Sequence, residues 1–249
     1  MDTSAYLARI SYSGPTDPTL DTLRGLHRAH MLSVPFENLD IGLHRKIVCD
    51  EASFLHKIVD YRRGGFCYEM NGAFAALLRK FGFQVTLLSA RVPRSDGSDG
   101  PEFDHLTLRV DLDEPWLADV GFGDFVLEPL LLKMEVIQEQ QGKRYRLFEV
   151  DDRVHIQRSD QDGIWKPEYS FRLQARQLGD FSEMCHYHQT SPESPFTQKR
   201  LCSLATSDGR ITLSNMRLIV THGSSRQETD LHSEAEWHAA LKTHFRVVL

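Results

Sequence analysis

The chain lacks an excess of positive charge, a long hydrophobic run, a paired-cysteine motif and an internal repeat. Its 29 Lys and Arg are outnumbered by 35 Asp and Glu, giving a net charge of −6. A general nucleic-acid binder needs a basic face, so that class of partner is not expected. An anionic small ligand stays open, because backbone N–H groups can hold phosphate without a basic surface. The longest apolar run, "FVLEPLLLK", is broken by Glu128 and Pro129. It falls short of the ~18 residues that a membrane span needs. The start, "MDTSAYLARISYSG", has an early acid and no apolar core of the secretory kind, so a cytoplasmic protein with no membrane partner is expected. Cys49, Cys67, Cys185 and Cys202 contain no CxxC spacing, which removes the zinc-ribbon and thioredoxin-like readings. In a reducing compartment they are expected as free thiols. His27 with His30, and Cys185 with His186 and His188, have no second half at metal-ligand spacing. They are read as surface or interdomain side chains, and no metal is expected.

What is present is a chain of 249 residues, 41% hydrophobic, enough for a sizeable core in one or two domains. The first ~80 residues read as helical. One helix starts at Asp17 or Thr19 and stops before Pro35, which disfavours helix at Val34. A second covers "DEASFLHKIVDYRR", and a third runs from about Cys67 to Lys80, with Gly82 as its stop. From Phe83 the period changes to two. "FQVTLLSARV", "HLTLRVDL", "WLADVG", "RYRLFEV", "RVHIQRS" and "WKPEYSF" read as strands of an antiparallel barrel or sheet. "PRSDGSDGPEFD" (93–104) reads as a loop between the first two. Further on, "QARQLGDFSEMCHYHQ" reads as helical, "RLCSLAT", "RITLSNMRLIVTH" and "RQETDL" as strands, and "SEAEWHAALKTHF" as a closing helix capped by Ser233. The expected divisions are 1–82, a helical bundle; 83–173, a β-barrel; and 174–249, a smaller α/β unit.

Strand geometry places two chemically useful side chains together. If His105–Asp111 pairs with Trp116–Val120 as a hairpin, His105 falls opposite or diagonal to Asp119, and period two puts both on one face. A carboxylate beside a histidine fixes the imidazole tautomer and stabilises its protonated form, which is half of a nucleophilic triad. Cys67 is the candidate nucleophile. Gly64 and Gly65 are expected to let the chain turn sharply ahead of it. The helix start and a neighbouring imidazolium are expected to favour its thiolate, and local N–H groups to act as oxyanion donors. Each residue alone reads as well as core or structure: a small buried cysteine, a strand histidine, a solvated acid.

"RRGGFCYEMN", "HLTLRV", "WLADVGFG", the earlier "VPFENLDI" and the later "SPESPFTQKRL" together resemble the arylamine N-acetyltransferase family, bacterial type. The match is dense in the N-terminal half and thin in the last third. The resemblance implies an α+β fold of several units: an N-terminal helical bundle, a central antiparallel β-barrel and a C-terminal α/β lid, with a papain-like cysteine–histidine–aspartate arrangement of Cys67, His105 and Asp119. It implies acetyl-CoA as co-substrate and small aromatic amines, hydrazines or N-hydroxyarylamines as acceptors, through acetyl-Cys67 in a ping-pong mechanism. It further implies Phe36, Val92, Phe122 and Phe196 as an apolar acceptor wall and Gly121 and Gly123 beside CoA. Arg63, Glu37 and Asn38 are implied as a network bracing the cysteine loop, although Arg63 also reads as a solvated helix end. The alternatives are an amide synthase, a cysteine hydrolase or transglutaminase-like enzyme with the same triad, and a binding domain that keeps only the scaffold. Asp104, immediately before His105, either acts on the neighbouring imidazole or tunes the choice of acceptor.

Overall fold

The computed structural model describes residues 1–249 except positions 95 and 161. Ser95, inside the loop expected over 93–104, therefore lies outside the described residues. Helices α1 (Thr3–Arg9), α2 (Leu20–Ser33), α3 (Leu39–Gly42), α4 (Glu51–Leu55) and α5 (Cys67–Lys80) occupy the first part, with a short strand β1 (Phe36–Glu37) between α2 and α3. Thr19 caps α2 by accepting from Thr22 N. Val34 leaves the helix in an extended conformation ahead of Pro35. α4 runs on into a π turn at His56–Asp60. α5 has the expected bounds, and Gly82, at φ +88°, takes the left-handed conformation that ends it.

Strands β2 (Gln84–Arg91), β3 (His105–Asp111), β4 (Pro115–Ala118), β5 (Leu130–Leu131), β6 (Gln138–Gln140), β7 (Lys143–Val150), β8 (Arg153–Ser159) and β9 (Trp165–Phe171) form one antiparallel sheet in the order β5-β4-β3-β2-β9-β8-β7-β6. Side chains draw its two edges together into a nearly closed barrel. Gln138 on β6 accepts from Leu131 N at 2.7 Å and donates to Leu131 O at 2.9 Å. Gln140 does the same at Glu128, at 3.0 and 2.9 Å. These amides stand in for a backbone ladder, so both short edge strands are covered.

The expected strand through Val120 ends instead at Ala118. Asp119 N and Val120 N turn to side chains, His27 Nε2 and Asn71 Oδ1, in place of a neighbouring strand.

After a 3-10 turn at Leu178–Phe181 come α6 (Ser182–Thr190), α7 (Pro195–Gln198), β10 (Leu201–Ala205), β11 (Gly209–Ser214), β12 (Arg217–His222), β13 (Ser225–Asp230) and α8 (Glu234–Ala240). "RITLSNMRLIVTH", read as one strand, is a hairpin: Ser214 pairs with Arg217 across Asn215, which sits at φ 48°. Asn tolerates that left-handed conformation better than most side chains. The second sheet has the order β1-β10-β11-β12-β13, so the helical part lends it an edge strand.

The largest apolar cluster joins α2, α4 and α5 (Leu23, Leu26, Phe54, Phe74, Leu77) to one face of β3 (Leu106, Leu108, Val110) and to Phe181 and Cys185. Packing therefore crosses the boundary drawn at 174. Each such side chain stabilises by about 1.5–3 kcal/mol when removed from water. The same cluster sets α5 against β3, the juxtaposition on which the site depends.

Candidate active site

Asp119 is the best-held polar group of the site. Cα pairs Leu108–Ala118 and Val110–Trp116 fix the β3–β4 register. Continued one step, that register sets Asp119 opposite Thr107 and diagonal to His105. His105 Nε2 donates to Asp119 Oδ2 at 2.6 Å, and Tyr169 OH from β9 donates to the same oxygen at 2.7 Å. Asn71 Nδ2 and Gly121 N donate to Oδ1 at 2.9 and 3.0 Å. Burial alone would raise the carboxyl pKa. The His105 ring and the donors from His105, Asn71 and Tyr169 overcome it, and the pKa lies below the usual carboxylate range. The bond through Nε2 leaves Nδ1 of His105 for another partner.

Cys67 begins α5 and is 3% exposed. Asn71 is one turn along the same face (i, i+4). It ties the helix to the strands by donating to Leu106 O at 2.6 Å and by accepting from Val120 N. The backbone at Leu106 and Tyr68 acts on the sulfur, pulling its pKa down against the effect of burial, so the thiol lies beside the start of β3. A Cβ added to Gly121 would come 2.9 Å from Cys67 Cα and 2.7 Å from Asn71 Nδ2. Gly121 thus permits a close approach of backbone to backbone. Phe66, the N-cap of α5, makes no side-chain cap. Donors of the first turn beside Cys67 are therefore not consumed by a capping side chain.

One expectation for Cys67 is reversed. Burial pushes its pKa well up, and the charges of Asp104 and Asp119 add to this. The helix start and the local N–H groups do not outweigh them, so the isolated thiol resists ionisation.

The two glycines ahead of Cys67 also act differently from expectation. Neither Gly64 nor Gly65 is among the residues at positive φ; Arg62, at φ 53°, makes the turn. A Cβ on Gly64 would fall 1.7 Å from Pro35 O, and one on Gly65 would fall 2.6 Å from the Glu69 side chain. Gly64 is small because the "PFEN" segment passes against it, and Gly65 because the Glu69 side chain does; Gly65 also bridges Phe36 in parallel, and Glu37 N donates to Gly65 O at 2.9 Å.

Arg63 is a buried brace and not a solvated helix end. Its guanidinium donates to Glu37 Oε1 and Asp40 Oδ1 at 2.9 and 3.1 Å. Lys57 Nζ lies 2.8 Å from both Asp40 Oδ2 and Glu69 Oε1. Glu69 Oε2 accepts from Phe66 N, the amide of the residue before Cys67, at 3.1 Å. Burial lifts the Glu69 pKa to about 7, against the pull of Lys57. Asn38 stands outside this network. Its amide donates to Phe196 O and Lys199 O and accepts from Leu201 N. It pins the 196–201 segment, because it caps the end of β1 where that strand meets β10.

Of the side chains expected in an acceptor wall or near CoA, Phe36, Phe122 and Gly123 line one cleft of about 840 Å³. Lys143, Arg210 and Arg226 also line it. Phe122 sets its ring 5.1 Å from that of His105, edge to face. Val92 and Phe196 are not in that cleft. Val92 packs on the barrel core with Phe122. Phe196 sits between Phe36, Phe66 and His188, with ring centroids 6.2, 5.7 and 5.1 Å away. Gly121 lies against Cys67 as described and does not line the cleft.

A family model described as N-acetyltransferase matches residues 19–249. The arylamine N-acetyltransferase of Escherichia coli is 36% identical over 246 residues, covering 96% of this chain and 86% of that protein. The chain belongs to the arylamine N-acetyltransferase family. Solved structures from the family agree in fold. The Mycobacterium smegmatis arylamine N-acetyltransferase superposes with a TM-score of 0.93 at 32% identity, covering 100% of this chain and 93% of that one. The Mycobacterium marinum arylamine N-acetyltransferase in complex with CoA gives 0.91 at 31%, covering 99% and 93%.

Sequence reasoning missed several residues that shape this family member's site. Asn71, Tyr169, Asp40, Lys57 and Glu69 act as described. His27 and His30 are fully buried, not on the surface. His27 Nδ1 donates to Leu127 O at 2.8 Å while Nε2 accepts from Asp119 N at 3.1 Å, so the ring bridges helix to barrel. Burial lowers its pKa to about 4, which keeps that acceptor nitrogen free of a proton. The one sequence hint was Glu69, an acid at the third position of a helix. Among the described residues no group of three or more His, Cys, Asp or Glu could hold a metal, and no helix is long and apolar enough to cross a membrane.

Proposed function

We propose that the chain moves an acetyl group from acetyl-CoA to an arylamine, arylhydrazine or N-hydroxyarylamine by a ping-pong mechanism through acetyl-Cys67, with His105 and Asp119 as its partners. The supporting observation is the 2.6 Å bond from His105 Nε2 to a buried, multiply held Asp119 carboxylate. It orients the ring with Nδ1 free for the thiol that starts α5. Because burial disfavours a lone thiolate at Cys67, the thiol gives up its proton to His105 only as it attacks, and Asp119 stabilises the imidazolium formed.

Cys67 sulfur forms a bond to the acetyl carbon, the bond from that carbon to the CoA sulfur breaks, and His105 returns the proton to the leaving thiolate. One thioester replaces another, so the exchange is nearly thermoneutral. The acceptor nitrogen then attacks acetyl-Cys67, His105 takes its proton, and Cys67 is regenerated as the thiol. First-turn N–H groups of α5 stabilise the developing oxyanion in both halves.

The cleft has room for CoA, being within the usual range for ligand sites of roughly 300–1,000 Å³. Lys143 and Arg210, which share Asp124, and Arg226, which pairs with Glu228, would exchange part of those ion pairs for its phosphates, and Gly123, at φ +90°, would let backbone approach it. The second sheet would then act as a lid. The three-part division at 82 and 173 is kept as a functional one: nucleophile, His–Asp pair, lid.

Steady-state kinetics with acetyl-CoA and aniline test this reading. Parallel double-reciprocal lines are expected, with no activity in Cys67→Ala. Intersecting lines, or turnover of a peptide amide in place of acetyl-CoA, would replace it with a ternary-complex or hydrolase mechanism.

A further inference from the structure

The cleft holds an anion of its own among its cations. Asp124, which follows Gly123, lines it together with Lys143 and Arg210. Lys143 Nζ, at the start of β7, lies 3.2 Å from Asp124 Oδ1. Arg210 Nε, on β11, lies 3.4 Å from the same oxygen. Arg158 Nη1, on β8, lies 3.4 Å from Oδ2 and donates to Asp124 O at 3.1 Å. One carboxylate is thus shared by three cations from three strands, two of the barrel and one of the second sheet. Burial would raise its pKa, but Lys143, Arg210 and Arg158 outweigh that and hold it below the usual carboxylate range.

The other acids along the cleft differ. Asp160 and Asp162 pair with Lys166, at 3.6 and 3.2 Å, and Asp208 pairs with His222 at 3.3 Å. Neither Lys166 nor His222 lines the cleft. Among the described residues Asp124 is the one acid paired with Lys143 and with Arg210. Two of its three cations have a second anchor. Arg210 donates to Ser203 Oγ at 3.0 Å, and Arg158 Nε lies 3.1 Å from Glu168 Oε1. They keep their places without the charge of Asp124. The Asp124 side chain is half exposed, so a ligand can reach the cradle, and ion pairs this exposed are weak enough to exchange.

We propose that Asp124 is a specificity-determining residue for the acyl donor: it occupies the cationic cradle that a phosphate of CoA would take, and so reduces the advantage of acetyl-CoA over acyl thioesters that lack phosphate. The proposal rests on the acetyl-transfer reading and adds to it how the donor is chosen. A carboxylate left beside a bound phosphate, half in water, weakens its binding about three- to tenfold. The same repulsion speeds departure of CoA after it has given up its acetyl group.

The test measures the Kd of CoA by titration calorimetry, and kcat/KM for acetyl-CoA and for S-acetylpantetheine with aniline as acceptor. Asp124→Asn keeps an oxygen for the cations and removes the charge. It should tighten CoA binding about three- to tenfold and raise the ratio of kcat/KM for acetyl-CoA over S-acetylpantetheine by the same factor. Asp124→Glu should leave both within about twofold of the unmodified protein. The gain in Asp124→Asn should shrink as NaCl rises from about 50 to about 300 mM. The ratio compares two donors on one protein, so a partly folded preparation does not move it. An unchanged or weaker Kd in Asp124→Asn, an unchanged or lower donor ratio, or an equal gain in Asp124→Glu overturns the proposal. Intact mass separates the two levels: no acetyl on Cys67 from either donor overturns the acetyl-transfer reading and this inference with it. A normal acetyl adduct with an unchanged donor ratio overturns this inference only.

Discussion

Two buried polar clusters lie on either side of the Phe66–Cys67 peptide, and they differ in what they leave unpaired. In the first, Arg63 and Lys57 are shared among Glu37, Asp40 and Glu69, and Glu69 closes the network on Phe66 N. In the second, Asp119 draws donors from four different segments, yet no hydrogen bond among the described residues occupies Nδ1 of His105 or the thiol of Cys67. A buried charge network that closes on itself positions the chain. One that holds its carboxylate and leaves a ring nitrogen open can move a proton. On the acetyl-transfer reading proposed above, these tasks lie on either side of one peptide bond.

The largest effect should come from the open cluster. Asp119→Asn puts an amide among donors and removes the charge that steadies protonated His105. Acetylation of Cys67 should slow by about 10³-fold or more, as measured by stopped-flow release of CoA. Full activity in this variant would show that the His105–Asp119 pair is structural. In the closed cluster, Lys57→Met leaves three buried carboxylates facing Arg63 alone. It should cost about 3–5 kcal/mol of stability, read from urea unfolding, and slow acetylation only through displacement of the Cys67 loop. If stability is unchanged, the network is not the brace described.

The smallest effect is at the join between helix and barrel. Burial holds the His27 pKa at about 4 in the folded chain, against the ordinary imidazole value of 6.5. Between those values the unfolded chain holds more protons, so this ring's contribution is complete above pH 6.5 and is lost as pH falls toward 4. The loss is up to about 3 kcal/mol. Glu69, raised to about 7 from 4.5, contributes the opposite slope between those values, so the comparison is between His27→Gln and its parent. The variant should show a flatter decline in stability from pH 6.5 to 4.5. An identical decline would remove His27 from the linkage.

The open cluster was the more legible in sequence, and the reason is geometric. His105 and Asp119 share a face through period-two alternation around a short turn, and Cys67 stands at a helix start. All three signals are local. The closed cluster depends on pairings between separate segments: Glu37 with Arg63, Lys57 with Asp40 and Glu69. No spacing rule brings those together before the helices pack. His27 was legible only as a surface or interdomain side chain; the structure takes the second alternative, through partners Asp119 and Leu127 that lie about 100 residues away. The glycines before Cys67 were found but given the wrong reason, since the backbone passing beside Gly64 cannot be seen from its neighbours in sequence. Asn215, likewise, was swallowed by the strand-like residues on both sides of it.

The most direct measurement is the intact mass of the protein after acetyl-CoA is added without acceptor, followed by peptide mapping. One added acetyl group, on the peptide containing Cys67, together with an equal amount of free CoA, is the expected result. The adduct should disappear when aniline is added. An unmodified protein, or an acetyl group on Cys49, Cys185 or Cys202, would contradict the assignment of Cys67 as the residue that carries the acetyl group.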